Sequence, residues 1–286
     1  MISIESRFVA SDGQFRKKKN VRPKVIDYLL SKTLVIQNTR MQSLPDAMQL
    51  KDRMNHSDEE RNESVSLPVF TGNRTELDLR LRETANALKI EIPNECWGPI
   101  ADYCCEMWDW NTRINLTRHT TPELFVKRDL LDSWHVSKLL EQNEDVLDVG
   151  TGSGVPGILI AILRPDTQVT LCDSVAKKAK VVEQIASKLK LKIPVYGQSV
   201  QKVLDDFRYD TLTSRAVGPL VRLCNWLDPY WHTFGRMLAI KGPKWPEERG
   251  EARHRGLLKK VELRRLVSYP MPDTESESSI LQLKRM

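Results

Sequence analysis

The densest chemistry in this 286-residue sequence lies in one string, Asp148-Val149-Gly150-Thr151-Gly152-Ser153-Gly154-Val155-Pro156-Gly157. Glycine lets a backbone turn sharply and approach a ligand that a Cβ would exclude. The string follows the β-branched run Asp145 to Val149 and opens a helical segment from Val155. In an open parallel sheet, ligands bind outside the carboxyl ends of the strands where strand order reverses, and the loop after the first strand lies there.

Two ligands compete for this loop. Read from Gly152 it is G-x-G-x-x-G, and Asp173 stands 21 residues on, at the end of the second predicted strand, where a dinucleotide ribose would sit. S-adenosylmethionine (AdoMet) also needs a glycine turn and an acid for its ribose hydroxyls, but it lacks a pyrophosphate and carries an ammonium and a sulfonium. Asp148, in the last turn of the strand, suits a cationic ligand and would repel a pyrophosphate. The methyl donor is favoured, held by Asp148, Gly150, Gly152, Gly154 and Asp173. An NAD-linked oxidoreductase rests on the glycine pattern alone.

The elements that must position this loop alternate. Gln168 to Cys172 is followed by a helix from Ser174 to Leu189, and Ile193 to Tyr196 by a short helix around Val200. Tyr209 to Thr213 is followed by a helix from Pro219 to Leu227, then by Arg236 to Ile240. Strand–helix alternation predicts a mostly parallel sheet covered on both faces, an α/β Rossmann-like fold. Val261 to Tyr269 and Ser279 to Leu283, joined by Pro270 to Asp273, predict an antiparallel hairpin that completes seven strands. Upstream, Leu77, Leu81, Ala85 and Leu88 predict an amphipathic helix ended by Pro93. A second helix over Asn94 to Thr112 carries Trp97, Ala101, Cys104 or Cys105 and Trp108 on one stripe, read as core. Thr121-Pro122 starts a third.

These patterns divide the chain into a mostly disordered basic extension (1–72), a helical subdomain (73–142) and an AdoMet-binding domain (143–286). Residues 1 to 75 hold 13 Lys/Arg against 9 Asp/Glu, including the run Arg16 to Lys19, but no apolar stretch of signal-peptide length. Nothing approaches the roughly 20 apolar residues that span a bilayer. Five cysteines without a CxxC pair argue against a disulfide framework or zinc ribbon. The histidines show no metal-ligand spacing, so no metal is expected. A cytoplasmic monomer is expected.

The acceptor is narrowed by what is missing. The end of the fourth strand reads Thr213-Ser214-Arg215-Ala216, not the Asn/Asp-Pro-Pro-aromatic string used on exocyclic amines. Asp228-Pro229-Tyr230 is read as a helix stop, and Cys224 lies inside a predicted helix, unsuited to attack on a pyrimidine. A ring nitrogen with a free lone pair, such as guanine N7, needs no such device, only alignment with the methyl group. Arg215 and Lys241, at the ends of the fourth and fifth strands, are the candidate catalytic residues, and Arg215 is suited to guanine O6. Arg236 to Arg265 holds ten Lys/Arg against four Asp/Glu, and Lys177 to Lys192 six Lys against Glu183. Such clusters are an electrostatic footprint for RNA phosphates.

Several strings together resemble the bacterial 16S ribosomal RNA guanine-N7 methyltransferase family, formerly called glucose-inhibited division protein B. They are Trp110-Asn111, Asn115-Leu116-Thr117, Leu131-Asp132-Ser133, Asp148 to Gly157, Asp173-Ser174, Ser214-Arg215-Ala216 and Lys241-Gly242, in matching order over roughly residues 76 to 286. The resemblance implies a class I AdoMet-dependent methyltransferase that modifies N7 of one guanine in 16S rRNA of the small ribosomal subunit. It adds Val155, Val200 and Gln201 as cofactor contacts, with Arg215 bordering both ligands. Arg128, Arg215, Lys241 and Lys244 are the candidate RNA contacts. Where the family usually has His before Leu-Asp-Ser this chain has Asp129, and the family's Arg-Ala-Glu after the third strand is Ser199-Val200-Gln201. The long N-terminal arm lies outside the family core. These departures motivate a second reading, a catalytically degenerate RNA-binding or ribosome-assembly protein on the same fold.

Overall fold

The computed structural model describes residues 69–286. The basic run Arg16 to Lys19 and all but the last few residues of the expected 1–72 extension lie outside the described residues. Helix α1 (Arg74–Ala87) begins where the Asn73 side chain accepts the Glu76 N–H, and it buries Leu77, Leu81 and Ala85 at the expected spacing. It stops short of Pro93: Leu88 is its C-cap and Lys89 takes a left-handed φ of 56°. Pro93 instead precedes helix α2 (Asn94–Asn111), in which Cys104 faces the core and Cys105 faces solvent. Thr121 caps the third segment as expected, its hydroxyl accepting the Leu124 N–H at 3.3 Å. That segment is a single turn α3 (Pro122–Leu124), a π-helical stretch π1 (Phe125–Leu130) and helix α4 (Leu131–Ser137).

The remainder alternates. Strand β1 (Asp145–Val149) leads to α5 (Gly157–Leu163), β2 (Gln168–Cys172) to α6 (Ala176–Lys188), and β3 (Val195–Tyr196) to α7 (Val200–Asp206). Then follow β4 (Tyr209–Arg215), α8 (Leu220–Leu227), a 3-10 turn at Asp228–Tyr230, β5 (Phe234–Lys241), α9 (Trp245–His254), β6 (Val261–Pro270) and β7 (Glu277–Arg285). The seven strands form one sheet in the order β3-β2-β1-β4-β5-β7-β6. The first five are parallel, and β7 runs antiparallel to both β5 and β6, so the terminal hairpin closes one edge. This is the Rossmann-like arrangement the alternation predicts. Helix α9 went unforeseen because only Ala252 of its ten residues is buried, which leaves no apolar period to read.

Successive strand residues point to opposite faces, and each face has its own core. Val146, Leu171, Leu238 and Ile280 pack with α1, α2, α4, α5 and α6. Leu147, Val149, Leu212, Met237 and Leu281 pack with α7, α8 and α9. The described residues lie in one compact unit, and the helices before β1 share a core with the sheet.

Candidate active site

Strand order reverses between β1 and β4: the chain leaves β1 for β2 on one flank and β4 for β5 on the other. The crevice at their carboxyl ends is where such sheets take ligands. Asp148 pairs with Thr213 there, and Val149 with Ser214.

The glycine loop borders this crevice. Gly150, Gly152 and Gly154 have φ of 66°, 59° and 105°, a region that L side chains rarely adopt. A Cβ at Gly152 would meet nothing nearer than the Gly150 carbonyl oxygen at 3.9 Å, so that glycine looks onto open space. The loop is braced from behind. Fully buried Asp148 accepts the Thr151 hydroxyl at 2.6 Å, the Gly157 N–H at 3.1 Å and the Thr213 hydroxyl at 2.8 Å. Asp173 accepts the N–H groups of Gly152 at 2.9 Å and Val175 at 2.8 Å. The buried Tyr103 hydroxyl, from α2, donates to the Ser153 carbonyl at 2.9 Å.

Asp148 therefore turns toward its own loop. Burial pushes its carboxyl up to about 6, while Thr151, Thr213 and Gly157 restrain the rise by hydrogen bonding to the charged form. Asp173 retains acceptor capacity, since a carboxylate offers about four lone-pair positions and two are used. Val155 and Val200 are buried, and Gln201 is half-buried in the first turn of α7.

Arg215, the last residue of β4, reaches across to π1 and α4. Its Nη2 lies 2.6 Å from Asp129 Oδ1, and its Nη1 donates to Asp132 Oδ2 at 3.3 Å and to the Arg128 carbonyl at 3.4 Å. Asp129 Oδ1 also meets His119 Nδ1 at 2.9 Å, and Asp132 Oδ1 accepts the Tyr269 hydroxyl at 2.6 Å. Burial opposes the charge on Arg215, but the two aspartates outweigh it and hold its pKa above the ordinary arginine value. Burial would likewise raise Asp129, yet Arg215 and His119 bring it below its usual range; at Asp132 burial wins and the carboxyl is pushed up. Asp129 Oδ2 and Arg128 Nη1 are buried without a hydrogen-bond partner.

Lys241, the last residue of β5, is 8% exposed, and its ammonium is held by the Gly218 carbonyl at 2.7 Å and Glu248 Oε2 at 2.6 Å. The same Glu248 oxygen accepts the Leu220 N–H at 2.8 Å, so Lys241 ties the turn after Arg215 to α9. Lys244 is exposed just beyond. The structure thus brings the glycine loop, Asp148 and Asp173 into one crevice and places Arg215 at its β4 lip. Sequence reasoning missed the clamp on Arg215, formed by Asp129, Asp132, His119 and Tyr269. The only trace of it was an acid pair at i, i+3, a spacing that sets both side chains on one helical face.

A family model described as rRNA small subunit methyltransferase G matches residues 99–275, a span that includes the loop, Arg215 and Lys241. A protein of Rhodopirellula baltica named ribosomal RNA small subunit methyltransferase G is 45% identical over 201 residues, covering 70% of this chain and 87% of that protein. One of the same name from Syntrophotalea carbinolica is 32% identical over 215 residues, covering 72% of this chain and 97% of that protein. Among solved structures, a methyltransferase from Pyrococcus furiosus superposes with a TM-score of 0.46 at 12% identity, covering 65% of this chain and 98% of that one.

Proposed function

The chain belongs to the rRNA small subunit methyltransferase G family, and from that premise we propose that it uses AdoMet to methylate N7 of a guanine in 16S rRNA of the small ribosomal subunit. The observation that carries this reading is the loop at the β1–β4 crevice, where Gly152 opens onto free space beside Asp173.

The residues present fit AdoMet. A cradle that a Cβ at Gly152 would begin to fill admits the ligand, and Asp173 has unused acceptor positions for ribose hydroxyls. Gly150, Gly154 and Val155 shape the cradle, while Val200 and Gln201 border the adenine side. Asp148 acts from within the wall by fixing Thr151 and Gly157. Bound AdoMet supplies an electrophilic methyl carbon attached to a cationic sulfur.

Guanine N7 carries a free lone pair, so no side chain has to remove a proton before attack. The chain's contribution is alignment. Arg215, held by Asp129 and Asp132, presents a fixed guanidinium at the lip of the crevice, suited to guanine O6 while N7 stays free. Lys241 fixes the turn after Arg215 through Gly218 and Glu248. Arg128 and Lys244 meet RNA phosphates on either side. The degenerate RNA-binding reading is not favoured, because the loop retains its three left-handed glycines and both supporting aspartates.

Among the described residues no helix is long and apolar enough to cross a membrane. The test is transfer of labelled methyl from AdoMet to small ribosomal subunits lacking the modification. Incorporation into 16S rRNA is expected; saturable AdoMet binding without incorporation would overturn the reading.

A further inference from the structure

The basic cluster between Arg236 and Arg265 does not act as one surface. Several of its cations face carboxylates: Arg236 pairs with Glu144 and Lys241 with Glu248 in partly buried contacts, and Arg255 with Glu251 and Arg264 with Glu262 at the surface. What remains is concentrated between α9 and the start of β6. There a cleft of about 180 Å³ is lined by Arg249, Arg253, Leu258, Lys259, Val261 and Leu263. Three of its six lining residues are basic and none is acidic. Arg249, Arg253 and Lys259 make no side-chain hydrogen bond or ion pair among the described residues.

Trp245 extends this arrangement. The Arg249 guanidinium lies 5.5 Å from its ring centroid and that of exposed Arg265 lies 5.9 Å away, so one indole holds two cations. Stacking on an aromatic face fixes a guanidinium without neutralising it and leaves its N–H donors free. Carboxylates do the opposite at Arg255 and Arg264. Unneutralised like charges gathered in one cleft repel one another, and a polyanion relieves that repulsion.

The cleft also has a direction. Helix α9 starts four residues after Lys241, at the carboxyl edge of the sheet, and Glu248 in its first turn binds both Lys241 and the α8 N-terminus. From there it runs about 15 Å at 1.5 Å per residue. In the sheet register Leu263 stands beside Leu283, which stands beside Met237, four residues before the end of β5. The basic residues thus run from the lip of the active-site crevice down the β6 flank.

We propose that Trp245, Arg249, Arg265, Arg253 and Lys259 form a track for the phosphate backbone of the substrate RNA, holding a strand that leads away from the target guanine. This inference rests on the proposed rRNA substrate and adds the surface that grips it. The track sets affinity and takes no part in methyl transfer.

The test compares the full-length protein with the variant Arg249→Ala/Arg253→Ala/Lys259→Ala and with the control Arg255→Ala/Arg264→Ala, whose charges are already paired. The equilibrium Kd for undermethylated small ribosomal subunits is measured over a salt series, together with AdoMet affinity and methyl transfer. Each phosphate contact contributes roughly 0.7 to 0.9 to the slope of log affinity against log salt. The triple variant is expected to lose two to three such contacts, with Kd raised about tenfold or more. AdoMet affinity and kcat at saturating subunits stay unchanged, and the control moves Kd less than about twofold. Wild-type Kd and salt slope in the triple variant would overturn the track while leaving the methyltransferase reading intact. Weakened binding by the variant, alongside a wild type that transfers no methyl, would sustain the track and overturn that reading. No subunit binding by the wild type would overturn both.

Discussion

Asp129 and Arg215, 86 residues apart in sequence, form a buried ion pair at 2.6 Å, and Asp129 shares that oxygen with His119. Asp129 is 1% exposed, so it cannot turn to water if Arg215, 19% exposed at the lip of the crevice, is lost. Breaking a buried pair leaves an uncompensated charge, which costs about 3 to 5 kcal/mol. Arg215→Ala, which leaves buried Asp129 and Asp132 without their cation, is expected to lose that much in urea unfolding; Asp129→Ala loses less, because Arg215 keeps Asp132 and the Arg128 carbonyl, and Asp129→Asn less still, because an amide oxygen still accepts a hydrogen bond. In the double variant Asp129→Ala/Arg215→Ala the loss should fall well short of the sum of the single losses.

Arg215→Lys keeps the charge but not the fork that spans Asp129, Asp132 and the Arg128 carbonyl. If alignment of the guanine is its task, kcat/KM for subunits falls roughly 10- to 100-fold, equivalent to about 1.4 to 2.7 kcal/mol. AdoMet affinity, read by calorimetry, should change much less than RNA turnover.

The glycine loop separates ligand space from packing space. At Gly152 an alanine Cβ has room but the backbone has a φ of 59°, so Gly152→Ala costs about 1 to 2 kcal/mol of strain and intrudes on the cofactor cradle. Its AdoMet Kd should rise tenfold or more in a protein that still folds. At Gly157 a Cβ would run into the Leu171 side chain and crowd Asp148, so Gly157→Ala is expected to lower Tm far more than Gly152→Ala.

The glycines, Asp148 and Asp173 are legible in the sequence because a strand, a turn and a helix start lie within a few residues of one another. The charge of Asp148 predicts a ligand contact, yet the structure shows it serving Thr151, Gly157 and Thr213, and only the β1–β4 register reveals the last of these. The clamp on Arg215 joins groups from π1, α4, β4 and β6, including Tyr269, 137 residues from its partner Asp132, and no local pattern encodes such a meeting. The strand-end position of Lys241 predicts a side chain that faces substrate, while its ammonium is committed to the Gly218 carbonyl and to Glu248 of α9.

Asp148 also predicts a pH dependence. Burial raises its folded-state pKa to about 6, against about 3.9 for an unfolded aspartate. The folded protein then binds more protons than the unfolded chain between those values, so this group's contribution to stability falls as pH rises from about 4 to 6. At roughly 1.4 kcal/mol per pH unit the change is about 2 to 3 kcal/mol. Urea unfolding across pH 4 to 7 isolates this group as the stability of wild type minus that of Asp148→Asn, which should fall between pH 4 and 6; parallel curves would contradict the assignment.

Small ribosomal subunits lacking the modification are incubated with the protein and AdoMet, and the 16S rRNA is then cleaved chemically at 7-methylguanine and mapped. A single new cleavage at one guanine, lost with Gly152→Ala and strongly reduced with Arg215→Lys, is the predicted result. Methyl incorporated at another atom, or no incorporation while AdoMet remains bound, would contradict the account.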